Sequence, residues 1–75
     1  MREKEIELNG KRYKVRELLY LEVIELGDIT NKREHAKKLM EISGIPLEDI
    51  EKFSAYEGGR ILKEINEINK FEDFQ

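Results

Sequence analysis

The sequence predicts a small α+β domain: an N-terminal two-stranded antiparallel β-hairpin packed against three to four α-helices. Three observations predict it. Asn9-Gly10 sits between two short runs of alternating apolar and charged residues. After residue 17 the apolar residues switch to steps of three and four. At 75 residues the chain has room for one modest core, hence one domain.

The hairpin is predicted over residues 3–16. Asn-Gly is the dipeptide of a type I′ turn, whose two central residues both need positive φ. With that loop, Leu8 pairs with Lys11 and Ile6 with Tyr13, and Leu8 and Val15 join the latter pair on one side of the ribbon. The other side sets Glu7 against Arg12, Glu5 against Lys14 and Glu3 against Arg16, three pairs of opposite charge. A two-stranded ribbon is marginal alone in water, so its apolar side requires a cover.

Four helices are expected to supply it. Residues 17–26 read as the first, with Glu17, Glu22 and Glu25 its only polar positions and Gly27 a left-handed residue just past its end. So apolar a helix carries more greasy surface than one hairpin covers. Either the later helices bury the remainder or another chain does. The second helix, 31–43, opens on Asn31 with Glu34, with Asp28 and Thr30 as rival caps, and ends at Gly44. Its core side is Ala36, Leu39, Met40 and Ser43.

Pro46 opens a short third helix, 46–53, with Leu47, Ile50 and Phe53 on its apolar side. Ser54-Ala55-Tyr56-Glu57 is a capping box and starts the fourth, 55–69, with a stripe of Gly58, Ile61, Leu62, Ile65, Ile68 and Asn69. Gly58-Gly59 weakens that helix by roughly 1 kcal/mol per residue relative to Ala, which points to close packing or a bend. The tail, 70–75, carries Phe71 and Phe74 among acids and either frays or docks.

Composition excludes several classes of function. With a net charge of −3, nothing overall draws the chain to nucleic acid or an anionic membrane. Without Cys there is no disulfide, thiol nucleophile or thiolate metal site. No apolar run approaches a membrane span, and the N-terminus has no signal-peptide core, so a cytoplasmic protein is expected. Abundant Glu, Lys and Ile, with Gln only at Gln75, suit a thermophilic source.

The residues offer no reaction centre. His35 is the only histidine and stands among Lys32, Arg33, Lys37 and Lys38, so it reads as a solvated side chain with no metal partner. That basic cluster is interrupted by Glu34 and Glu41 and holds no aromatic to stack on a base, which favours a solvated helix face over a phosphate site. The acids have helical partners, as in Glu34–Lys38 and Arg60–Glu64, and no Gly-rich phosphate loop is present. The expectation is a protein without catalytic residues, cofactor or metal.

The segment Ile6-Glu7-Leu8-Asn9-Gly10-Lys11-Arg12-Tyr13-Lys14-Val15-Arg16-Glu17-Leu18 is similar to the G-K-x-Y-x-V-R-E-L opening of many small viral tail proteins. Ile61-Leu62-Lys63-Glu64-Ile65-Asn66-Glu67-Ile68-Asn69 is similar to their I-x-x-x-N terminal helix. Taken whole, the chain resembles a tail assembly chaperone of long-tailed phages and proviruses. The resemblance implies a non-enzymatic protein of the host cytoplasm that coats the helical tape-measure protein during assembly. It also implies self-association and a short and a frameshifted long form.

A soluble carrier with surplus apolar surface suits that role. The residues expected to meet the partner are Leu19, Tyr20 and Val23 of the first helix and Phe71 and Phe74 of the tail. The rival reading is a small DNA-binding regulator using helices 31–43 and 46–53 as a helix-turn-helix, against which the acidic balance counts.

Overall fold

The computed structural model describes residues 1–70. Strands β1 (Glu3–Leu8) and β2 (Lys11–Arg16) form a two-stranded antiparallel sheet. Four helices follow, α1 (Tyr20–Gly27), α2 (Lys32–Ser43), α3 (Leu47–Ile50) and α4 (Ala55–Asn69). The fold is the α+β arrangement that the sequence predicts.

Asn9 and Gly10 both take positive φ, 52° and 81°, and the pairing runs from Leu8↔Lys11 to Glu3↔Arg16 without a slip. Ile6, Leu8, Tyr13 and Val15 are all buried beneath the helices. α4 lies across both strands, and α2 packs against α1, α3 and α4. Ile45, Ile61, Ile65 and Val15 are fully enclosed where these elements meet. Ser43 is enclosed with them, and its hydroxyl has no hydrogen-bond partner among the described residues.

The charges of the ribbon make different pairs from those the register suggests. Lys14 reaches diagonally to Glu3 at 3.4 Å, and Arg16 leaves the sheet to grip Glu22. The twist of a two-stranded ribbon brings diagonal neighbours into range, and an exposed pair is too weak to hold a directly opposite geometry. On the covered side, Lys4 extends to Glu64 of α4, and Lys11 bonds Asp49 of α3 at 2.6 Å. The Tyr13 hydroxyl donates to the same Asp49 carboxylate at 3.0 Å, and its ring meets Phe53 edge-on. Both edges of the hairpin are thereby tied to helices. Of the expected helical pairs, Lys38 takes Glu41 instead of Glu34, and Glu64 takes Lys4 instead of Arg60.

Helix ends follow the caps where a cap exists. Asn31 Oδ1 accepts from Glu34 N–H, and Ser54 and Glu57 form the reciprocal box. Gly44 ends α2 in the left-handed region, φ 118°. α3 is a single turn, shorter than the expected 46–53, and is followed by tight turn bonds from Lys52 and Phe53 N–H. Gly27 is the last residue of α1 and does not take positive φ; the helix ends instead on i→i+3 bonds from Asp28 and Ile29. Close packing does not account for the glycine pair in α4. A Cβ on Gly59 would meet nothing, and one on Gly58 would make ordinary contacts with Met40 Cε at 3.7 Å and Phe53 Cβ at 4.0 Å.

Candidate partner-binding surface

The orientation of α1 is decided before the helix begins. Glu17, expected inside it, continues the hairpin instead. Its N–H donates to the Arg2 carbonyl at 2.9 Å, and its carboxylate accepts from Arg2 N–H and Nε. Leu18 then turns into the core, its N–H donating to Asn69 Oδ1 at the far end of α4 at 2.7 Å. Only after Leu19 is the backbone free to coil.

Glu22 sets the first turn. One carboxylate oxygen accepts from Leu19 N–H at 2.8 Å, and both accept from Arg16, Nη1 at 3.0 Å and Nη2 at 2.9 Å. Such a fork-to-fork pair fixes direction as well as distance. Arg16 holds the Glu22 carboxyl below the usual carboxylate range, with the Leu19 N–H adding to the effect. Because Glu22 is drawn back toward β2, Leu26 falls into the core and Val23 packs half-buried against it.

The opposite side of α1 is left facing water. Leu19 is 54% exposed, Tyr20 78%, Leu21 66% and Ile24 48%. Tyr20 and Ile24 stand one turn apart, Leu21 lies three residues before Ile24, and the three form one continuous helix face. Gly27 adds no side chain to its end, and a Cβ there would meet nothing within 4 Å. Glu25 and Asp28 are exposed, and α1 contains no Lys or Arg. Single exposed apolar residues are ordinary, but four on an eight-residue helix and its cap are the kind of patch that marks an interaction surface.

Of the expected partner-binding residues, Leu19 and Tyr20 lie on this surface. Val23 does not; Arg16–Glu22 rotates it inward. Phe71 and Phe74 lie outside the described residues. Leu21 and Ile24 share the exposed surface as well, and the sequence hides this because Glu22 and Glu25 together look like the solvent stripe of the helix. The readable signal was Glu22 placed three residues after Leu19, where a carboxylate can cap the helix N-terminus.

Among the described residues, no three of His, Cys, Asp or Glu gather closely enough to hold a metal ion. No helix there is long and apolar enough to cross a membrane. Compared with protein-family models, with curated proteins and with solved structures, the chain matches none.

Proposed function

We propose that the protein is a non-enzymatic assembly factor that holds an apolar helix of a partner protein against the exposed face of α1. The partner implied by the sequence resemblance is the tape-measure protein of a phage or provirus tail. One observation carries this reading: Leu19, Tyr20, Leu21 and Ile24 stand together in water while the core is filled from the other side of the helix.

Energetics favour a reversible grip. Burying one fully exposed large aliphatic side chain is worth roughly 1.5–3 kcal/mol, and Leu19, Leu21 and Ile24 are each about half exposed, so together they supply about 2.5–5 kcal/mol. Association itself costs about 4–15 kcal/mol. A patch of this size holds a partner only with help from the partner's own surface, and releases it readily. That is the behaviour a carrier needs.

A DNA-binding role has less support. Its recognition helix would be α3, a single turn bearing Glu48 and Asp49, which would oppose a phosphate backbone.

The test is co-expression with an amphipathic helical fragment of a tape-measure protein. The wild-type chain is expected to keep the fragment soluble and to copurify with it, and the Leu21→Lys/Ile24→Lys variant to lose both. Capture that is indifferent to those two substitutions contradicts the proposal.

A further inference from the structure

The two outer edges of the hairpin are not alike. Glu17 N–H donates to the Arg2 carbonyl, which extends the ladder one pair beyond Glu3↔Arg16 and fixes its phase. Antiparallel partners alternate between exchanging hydrogen bonds and turning their backbone groups outward. Lys4, Ile6 and Leu8 therefore bond β2, and the N–H and C=O groups of Glu3, Glu5 and Glu7 point out of the ribbon. On β2 those of Arg12, Lys14 and Arg16 point the other way.

The β2 edge is obstructed, since the Gly44 backbone lies against the Lys14 carbonyl. On β1 none of the outward backbone groups bonds another described residue. Glu3, Glu5 and Glu7 are exposed. Lys4 ties β1 to α4 through its side chain, which uses none of these groups.

An open row of backbone donors and acceptors is a template for another strand. The side chains of this row are selective. All three are acids; Glu3 has only the 3.4 Å approach of Lys14, and Glu5 and Glu7 have no ion pair among the described residues. A second copy pairing across a two-fold axis would set glutamate opposite glutamate, and like charges directly opposite destabilise a pair. Opposite charge in the same place stabilises one.

We propose that the β1 edge accepts an extended basic segment of a partner protein as a third strand, with Lys or Arg at alternate positions beside Glu3, Glu5 and Glu7. Main-chain bonds hold the segment, and the alternate cations select it. The edge is six residues long, about 20 Å, and its charges lie in water, so binding is weak and falls with salt. The surface is separate from the exposed face of α1 and does not depend on the role given to that helix.

Amide hydrogen exchange of the full chain, with and without a short peptide of alternating lysine and threonine, tests this. In the free chain the Glu5 and Glu7 amides are expected to exchange fast and the Ile6 amide slowly. With peptide at about ten times its dissociation constant, Glu5 and Glu7 should slow about tenfold, and Arg12 and Lys14 should not change. A peptide methylated on its backbone nitrogens keeps its charge but cannot donate, and it should not bind. Glu5→Gln/Glu7→Gln should weaken binding of the unmodified peptide and flatten its salt dependence. Slow exchange at Glu5 and Glu7 in the free chain would overturn the proposal, because the edge would already be covered, by a second copy or otherwise. Binding that survives methylation would overturn it in favour of a charge contact without strand addition. A wild-type chain that does not bind the lysine peptide at low salt would overturn it outright.

Discussion

The backbone of Gly44 stands so close to β2 that a Cβ on it would lie 2.8 Å from the Lys14 carbonyl oxygen. The turn that ends α2 is thus pressed onto the hairpin, and residue 44 must satisfy both a left-handed φ and a contact with no room for a side chain. Gly44→Ala is expected to lose roughly 1–3 kcal/mol from the backbone conformation alone, with the clash adding to it. Urea unfolding should show a lower midpoint with an unchanged slope.

Gly59 is the opposite case. It lies inside α4 with nothing near its missing Cβ. Gly59→Ala is expected to stabilise the chain by about 0.5–1 kcal/mol, through helix propensity and a less disordered unfolded state. In a thermal melt this should appear as a rise of a few degrees.

Asn69 closes the molecule from its other end. Its Oδ1 takes the Leu18 N–H, and its Nδ2 donates to the Ile65 carbonyl at 2.8 Å. Asn69→Ala strands a donor beside the core, at an expected cost of about 1–3 kcal/mol. Asn69→Asp keeps the acceptor for Leu18 N–H but sets a carboxylate oxygen against the Ile65 carbonyl at the C-terminal end of α4, so it should also lose stability. Amide exchange at Leu18 is the local readout, and it should accelerate in the alanine variant more than in the aspartate one.

The hairpin was legible because one turn dipeptide fixes the register of twelve residues, and α4 because its capping box is local. The rotation of α1 was not. It depends on Leu18 meeting Asn69, 51 residues away, and on Glu17 being held by Arg2. Glu22 also misleads, since a glutamate in an apolar helix reads as the solvent side until Arg16 is seen to hold it. Hence the sequence sets Leu19, Tyr20 and Val23 together on one surface, whereas the inward turn of Val23 and the exposure of Leu21 and Ile24 follow from these distant contacts.

The Arg16–Glu22 pair gives α1 a pH dependence of known sign. The folded-state pKa of Glu22 lies below its unfolded value, so its contribution is present above the unfolded pKa and is lost as pH falls through the folded one. Glu17, held by Arg2, and Asp49, held by Lys11 and then Tyr13, shift in the same direction. Stability should be level near neutrality and decline below about pH 4–5. Glu22→Gln should be less stable than wild type at pH 7, and the gap should narrow as the solution is acidified. A gap that widened in acid would contradict the assignment.

The account rests on α1 presenting apolar side chains that its own fold does not use. Chemical denaturation of the free Leu21→Lys/Ile24→Lys chain measures this directly. If the face is unpartnered, stability should remain within about 0.5 kcal/mol of wild type, as for other surface substitutions. A loss of about 2 kcal/mol or more per residue would place both side chains in the core and contradict the account.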